Sequence, residues 1–377
     1  MSRPTVATVS LDAIQSNCRA IRDLLQRGRE PREPPSPQII AVVKANAYGH
    51  GAARVGRALE AAGAAMLACA DLEEGILLRE AGVTIPILVF GALSVSDLAG
   101  VFAHRLTPTV STPGAARALE AAAARHGVRL GCHLKIDTGM NRLGFRHDNL
   151  RRTMPDVLAS PHLTFEAVYT HFATADDPES AFLDDQRSRF ERAGAALAAQ
   201  GLTGVARHAA NSAALLRDRR TWYDWVRPGL LLYGIVPPPL AAADLPLGPA
   251  LSLTSCIVAV KGVRTGEGLG YGRRWTPDGP RTIAIVPAGY ADGLDTRLAN
   301  RGCALVRARR VPIVGAVSMD MITIDVTGLD VSPGDEVVLI GRQGDQEITA
   351  REVAATVGTI PWEILCRLGA RIERKYA

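Results

Sequence analysis

Between residues 39 and 233, apolar runs of strand length alternate with amphipathic stretches of helix length about eight times. The apolar runs are 39–44, 65–70, 85–90, 106–110, 130–137, 163–171, 205–211 and 225–233. Between them, residues 52–62, 72–81, 95–103, 114–126 (with Pro113 near the start) and 179–200 carry helical spacing; 149–159 does so more weakly, and 212–217 is short. The strand-like runs are apolar throughout rather than alternating, as expected when both faces of a parallel sheet are buried. About eight such units close a (β/α)8 barrel of ~250 residues, whereas an open doubly wound sheet with this many strands would be unusually wide. The alternation therefore predicts an α/β fold: an N-terminal (β/α)8 TIM barrel.

The pattern changes after the Pro-rich stretch 236–249. From there, strand-like runs follow one another at 253–263, 281–288, 303–307, 311–314, 319–326 and 336–340, separated by turn residues, before a helix at 350–357 and a tail. This predicts a C-terminal, mostly-β domain. The boundaries read as 11–245 for the barrel and 246–377 for the β-domain, with the strand-like residues 1–10 joining the latter. The Pro- and charge-rich segment 29–37 reads as a loop with no assigned role.

A chain of 377 residues exceeds the usual single core, and 47% hydrophobic with 21% charged residues is ordinary for a globular protein. The net charge of +5 comes from scattered basic residues, with no basic run interleaved with aromatics, so no nucleic-acid partner is expected. No apolar run is long enough to span a bilayer, and the N-terminal residues lack a signal-peptide core. The six cysteines, Cys18, Cys69, Cys132, Cys256, Cys303 and Cys366, are far apart and form no C-x-x-C pair. Reduced thiols and a cytoplasmic location follow as expectations.

Chemistry gathers where the barrel strands end, the side on which barrel enzymes build their sites. Lys44 ends the first apolar run, where an unpaired ammonium is costly and a lowered amine pKa suits Schiff-base chemistry. Lys135, Asp137 and Arg142 surround the end of strand five; Tyr169 and His171 end strand six. Asn211 and Ser212 end strand seven, with Ser212 as the N-cap of the next helix, and Arg227 and Gly229 lie on strand eight. A helix start after strand seven suits a phosphate. A reactive lysine facing a phosphate site is the arrangement that pyridoxal 5′-phosphate (PLP) requires.

The motif Ala41-Val-Val-Lys44-Ala-Asn-Ala-Tyr48-Gly-His-Gly51 closely resembles the PLP-attachment motif of alanine racemases. Further stretches match in order: Asp137-Thr-Gly-Met-Asn-Arg142-Leu-Gly, Tyr169-Thr-His171-Phe-Ala, His208-Ala-Ala-Asn211-Ser212-Ala-Ala, Val226-Arg227-Pro-Gly229, Gly270-Tyr271-Gly272, Gly289-Tyr290-Ala-Asp-Gly293 and Ser318-Met319-Asp320. They span nearly the whole chain. The resemblance implies racemisation of L- and D-alanine, supplying D-alanine for peptidoglycan or degrading it. It implies that Lys44 holds the cofactor and serves the D face, while Tyr271 of the partner subunit in a homodimer serves the L face. It implies that Arg227 contacts the pyridine nitrogen and that His171 sits between Arg227 and Tyr271. Tyr48, Ser212, Gly229 and Leu230 would hold the phosphate, with Asn211 and Tyr233 also among the cofactor-binding residues. Arg142 and Met319 would meet the substrate carboxylate or the cofactor hydroxyl, and Tyr290 and Asp320 would line the entrance. Lys135 matches a lysine that is carbamylated in some relatives, where it orients the arginine matching Arg142. No metal is implied.

The chain departs from the pattern near its C-terminal end. Relatives often carry Tyr-Glu-x-x-Cys and then Arg-Val-Pro-Arg; here Trp362-Glu363-Ile-Leu-Cys366 precedes Arg371-Ile-Glu-Arg374. In some relatives a tyrosine just before that Arg contacts the phosphate, and this chain has Ala370 there. The alternatives are a serine or broad-specificity racemase, a PLP-dependent amino-acid decarboxylase of the same fold, and a non-enzymatic PLP-binding protein. The decarboxylases pair the pyridine nitrogen with Glu where Arg227 stands, and carry a Cys-Glu-Ser-type motif where Cys303 is followed by Ala304. The non-enzymatic proteins are usually a bare barrel.

Overall fold

The computed structural model describes residues 4–27, 35–91, 93, 98–242 and 244–377. They form two compact units, one of Ala13–Ala47 and Ala52–Gly248, the other of the residues up to Asp12, Tyr48–Gly51 and Pro249–Ala377.

The first unit is a closed parallel barrel. Its eight strands are Gln38–Val42, Met66–Cys69, Ile87–Val89, Thr107–Val110, Leu130–Asp137, Leu163–Tyr169, Ala206–Asn211 and Trp225–Arg227, and each pairs in parallel with the next. Closure comes from the eighth strand on the first, with Trp225 opposite Gln38 and Val226 opposite Ile39. Burial of every residue in Met66–Cys69 and Ile87–Val89 accounts for their unbroken apolar sequence. Helices follow most strands; Leu72–Glu80 and Pro113–His126 are capped by Asp71 and Thr112, whose side chains accept the Glu74 and Ala115 amides.

Several elements differ from the sequence expectation. The first strand stops at Val42, before Lys44. The eighth stops at Arg227; Pro228-Gly229 ends the ladder, and Leu230–Tyr233 forms a 3₁₀ turn instead of more strand. The helix expected over 149–159 is two single turns, Leu150–Thr153 and Pro155–Leu158, because Pro155 restarts it. Residues 29–34 of the loop expected at 29–37 and 95–97 of the helix expected at 95–103 lie outside the described residues; Ala99–Ala103 is helical.

The second unit is mostly β. One sheet runs in the order Arg309–Pro312, Cys303–Val306, Glu336–Gln343, Leu251–Cys256, Val6–Val9, Glu373–Tyr376, with Gln346–Ile348 folded back on Glu336–Gln343. Val6–Val9 therefore lies between an antiparallel neighbour, Leu251–Cys256, and a parallel one, Glu373–Tyr376. A second sheet joins Ala259–Val263, Arg281–Val286 and Ile322–Asp325. The run 253–263 thus divides between two sheets, and the expected tail contains a helix, Pro361–Cys366, and a strand. Leu305, Val338 and Ile348 form one buried cluster, and Val263, Ile283 and Val314 another.

Candidate active site

Lys44 is half-buried and opens a turn of unusual hand. Ala45, Asn46, Ala47 and Tyr48 have φ of 51°, 53°, 55° and 51°, four consecutive non-glycine residues in the left-handed region. Each costs about 1–2 kcal/mol, so such a segment persists only where its surroundings over-determine it. Glu74 Oε1 accepts the Ala45 amide at 2.6 Å while its Oε2 accepts Ala70 at 2.8 Å. The Asn46 side chain accepts the Ala52 amide at 2.8 Å, closing the turn on itself. The alternation of apolar runs gives no sign of this geometry.

The barrel interior on the side of strands four to eight is polar. Arg227, 3% exposed, donates from Nη1 to His208 Nδ1 at 2.8 Å and from Nη2 to the carbonyls of Thr170 and Ala209 at 2.6 and 2.7 Å. Its Nη2 also reaches His171 Nδ1 at 3.4 Å. Among the described residues, no carboxylate pairs with it. Burial pushes its pKa down to about 10, which leaves it charged at neutral pH. Because a guanidinium only donates, His208 and His171 must present unprotonated Nδ1 and carry their protons on Nε2. His208 Nε2 lies 3.0 Å from His133 Nδ1. Tyr169 stacks on His208 with ring centroids 4.7 Å apart, and its hydroxyl meets Thr109 at 2.9 Å. His133 and His208 sit on strands five and seven, and Thr109 and Tyr169 on strands four and six, so these contacts cross the interior rather than run along the sheet.

Charge converges on His171. Burial first, then the positive charges of Arg227, Lys135, Lys44 and Arg142, hold its pKa well below the usual imidazole value. Lys135, buried on strand five, is lowered to about 8 by burial, then by Arg142 and Arg227, with Asp137 opposing. The Asp137 carboxylate accepts the amides of Gly139 and Asn141 at 2.9 and 3.0 Å. Arg142 is exposed on the loop after strand five.

Ser212 is not the N-cap expected of it. Asn211 takes that place, its side chain accepting the Ala214 amide at 2.9 Å. The Ser212 hydroxyl is left to accept the amides of Gly229 and Leu231 at 2.9 and 3.4 Å, which brings strand seven's end to the turn beginning at Leu230. The Tyr233 hydroxyl donates to the Val42 carbonyl at 3.0 Å, two residues before Lys44.

Three groups were not legible as site residues. His208 lies inside a quoted motif, and His133 shares the two-residue period of Lys135 on strand five, a signal that could have found it. Gln186, fully buried on the helix Phe182–Ala198, donates to Thr138 Oγ1 and the His171 carbonyl, both at 3.1 Å, and accepts the Ala173 amide at 2.8 Å. Its helix otherwise reads as a charged solvated face.

In the β-rich unit, Tyr271 stands 78% exposed beside a cleft of about 440 Å³ lined also by Gly270, Ile285, Ala316, Ser318, Met321 and Thr323. Tyr290 and Met319 are also exposed. Their segments are joined: the Tyr290 amide donates to Ser318 O at 2.9 Å, and Ala291 to Met319 O at 3.0 Å. Asp320 pairs with Arg371 at 2.6 Å.

A closed barrel whose strand ends carry lysines, an arginine and buried imidazoles, in a chain with a second β-rich unit, defines a barrel enzyme of two-domain build. Residues 9–237 match the family described as alanine racemase, N-terminal domain, and residues 250–376 that described as alanine racemase, C-terminal domain. The alanine racemase of Symbiobacterium thermophilum is 41% identical over 99% of this chain and 97% of its own. Among solved structures, the alanine racemase of D-cycloserine-producing Streptomyces lavendulae superposes with a TM-score of 0.94 at 33% identity, covering 100% of this chain and 98% of that one. That of Bartonella henselae, with covalently bound pyridoxal phosphate, superposes with a TM-score of 0.87 at 27% identity, covering 99% of each chain. The chain belongs to the alanine racemase family and is an isomerase of the amino-acid racemase class.

Proposed function

We propose that the enzyme interconverts L- and D-alanine with PLP by a two-base mechanism. The observation that carries this reading is the buried Arg227 fork, held by His208 at 2.8 Å and reaching His171 at 3.4 Å, on the barrel that bears Lys44 just past the end of its first strand. PLP fits that donor set: its phosphate and the substrate carboxylate are anions that these cations and backbone amides can receive. Lys44 would hold it covalently; Tyr48, Asn211, Ser212, Gly229, Leu230 and Tyr233 would form its phosphate end, and Arg227 would face its pyridine nitrogen. Arg142 and Met319 would meet the substrate carboxylate or the cofactor hydroxyl, with Tyr290 and Asp320 at the entrance. When bound, PLP draws electrons from the substrate's α-carbon and so acidifies its C–H bond.

The protein moves the proton. Racemisation needs a base on each face of a planar carbon. Lys44 serves the D face and Tyr271 of the partner subunit the L face. A phenol titrates near 10 and needs a donor to act as a base near neutrality. With Nδ1 occupied by Arg227, His171 offers its Nε2–H to a phenolate. Arg227 retains its own proton, so the nitrogen opposite it stays unprotonated, which limits electron withdrawal and disfavours transamination. Lys135, with a pKa of about 8, presents enough neutral amine to take up CO₂ as a carbamate beside Arg142.

A shared site requires a homodimer, consistent with a phenol as exposed as Tyr271. A reducing, cytoplasmic location is supported by six cysteines that are all unbridged. Among the described residues, no helix is long and apolar enough to cross a membrane. The D-alanine formed would feed peptidoglycan, or the reaction would run towards alanine degradation.

The test is Tyr271→Phe. It should keep the visible absorbance of PLP on Lys44 and lose racemisation by about 10²- to 10⁴-fold. Racemisation at the wild-type rate would overturn the two-base assignment. Deuterium exchange into L-alanine, L-serine and L-lysine separates an alanine racemase from a broad-specificity one, and absence of exchange into alanine would exclude the main reading.

A further inference from the structure

The left-handed turn that follows Lys44 leads into Gly49–Gly51, and the exit of that turn, Tyr48–Gly51, groups with the β-rich unit. Four left-handed residues in a row are not self-sustaining. Their entry is fixed by Glu74 and Asn46. The exit is fixed from the far end of the chain. His50 Nδ1 donates to the Tyr48 carbonyl at 2.9 Å. Gly49, at φ 82°, packs so tightly that an added Cβ would lie 2.2 Å from the Leu365 carbonyl oxygen. The Gly49 carbonyl itself accepts Nε of Arg374 at 3.2 Å.

The rest of that guanidinium is committed to the C-terminal segment. Nη1 donates to the carbonyls of Gly369 and Ile372 at 2.7 and 2.8 Å, and Nη2 to that of Leu368 at 2.6 Å. All four acceptors are backbone carbonyls, and no carboxylate pairs with Arg374 among the described residues. Burial is the main influence on this guanidinium and lowers its pKa. A planar fork with five donors in fixed directions can hold three local carbonyls and still reach a distant fourth; a flexible ammonium with three cannot. The base of the fork is rigid, because Arg374 lies in the strand Glu373–Tyr376 and stands opposite Ala7 in the sheet.

We infer that Arg374 is a positioning residue for the lysine-bearing turn: through the Gly49 carbonyl it holds residues 45–48 in their left-handed conformation, and so sets where Tyr48 and Lys44 stand. This rests on the proposal that Lys44 and Tyr48 bind PLP. Loss of the bond lets the turn relax towards ordinary backbone angles, and the holoenzyme then releases PLP faster.

The experiment compares wild-type holoenzyme with Arg374→Gln and with Arg310→Gln, which cuts an ion pair to Glu352 in the same unit, remote in sequence from the turn. Two quantities are read: release of PLP, followed by loss of the lysine-linked visible absorbance, and hydrogen exchange at the amides of Ala45 and Ala52. Arg374→Gln should accelerate both by about ten-fold or more, and Arg374→Lys should restore only part of the effect. Arg310→Gln should lower the melting temperature and move neither. If exchange at Ala45 and Ala52 is unchanged in Arg374→Gln, or accelerates equally in Arg310→Gln, Arg374 does not position the turn. If exchange accelerates in Arg374→Gln alone while the wild type forms no lysine-linked absorbance with PLP, the cofactor reading of Lys44 fails and the positioning role stands.

Discussion

His133 Nδ1 lies 3.0 Å from His208 Nε2, and the proton between them belongs to His208. The order is imposed from the site: Arg227 can only donate to His208 Nδ1, so His208 donates onward, and His133 is left protonated at a buried Nε2 that has no hydrogen-bond partner among the described residues. A short relay of neutral imidazoles thus backs the guanidinium, and its direction is fixed by one residue.

Acid should dismantle this relay. His133 is lowered to about 3 by burial and by Arg227, and His208 and His171 are lowered in the same way. A base whose folded pKa is depressed leaves the unfolded chain binding more protons between the two values. Stability is therefore full above the ordinary pKa of about 6.5 and falls as pH drops below it, by about 1.4 kcal/mol per pH unit for His133 alone. Denaturant unfolding followed from neutral pH down to about pH 4 checks this; a flat stability profile for the barrel would contradict it.

Lys135 predicts the opposite limb. Its pKa of about 8 lies below the ordinary 10.5, so the unfolded chain binds more protons between those values and stability should rise with pH across that window. Lys135→Met should flatten this rise. It should also abolish any bicarbonate-dependent mass increase of one CO₂ on the intact protein, the signature of the proposed carbamate.

Gln186→Leu should remove one of the two partners of Thr138 Oγ1, which keeps Thr170, and the Gln186 bonds to the His171 carbonyl and the Ala173 amide. The cost is about 1–2 kcal/mol, since three hydrogen bonds are lost but two of the groups left behind are only partly buried and Thr138 keeps Thr170. Because Gln186 braces His171, kcat should fall more than KM rises, and Gln186→Glu, which keeps the shape but loses both donors, should recover little. An unchanged kcat in a folded Gln186→Leu enzyme would show that the brace is dispensable.

Gly289→Ala tests the coupling of Tyr290 to Met319. An added Cβ would stand 2.4 Å from the carbonyl oxygens of both Ser318 and Met319, which is backbone and cannot swing away. The two segments must separate, with a stability loss of about 1–3 kcal/mol and a raised KM for alanine. A variant with wild-type melting temperature and KM would show that the contact is slack.

The barrel was legible because a parallel sheet buried on both faces forces apolar runs at strand spacing, and eight of them leave little else to build. The strands end at Arg227 and Val42, short of the apolar runs, because Leu230–Tyr233 and Val43 are as apolar as strand residues; only the Pro228-Gly229 break marks the first. Ser212 was read as the cap because a serine opens the helix, whereas Asn211 supplies the same hydrogen bond one residue earlier and frees the hydroxyl. The period of strand five marks His133 as facing the same side as Lys135, but the partners of His133 and Gln186 have no sequence signal. Their roles depend on partners distant in sequence, His208 for one and His171 with Thr138 for the other, and no local pattern records a contact across a barrel interior.

The placement of Val6–Val9 between Leu251–Cys256 and Glu373–Tyr376 has a consequence for biosynthesis. A ribosome delivers this strand before the barrel and both its neighbours after it, so the barrel must emerge while four residues with both hydrogen-bonding edges vacant wait for partners. One edge can be covered once Leu251–Cys256 has emerged, and the other stays vacant until Glu373–Tyr376 follows. A product cut short before Glu373 would never cover that second edge, which gives quality-control proteases and chaperones a simple mark of incompleteness.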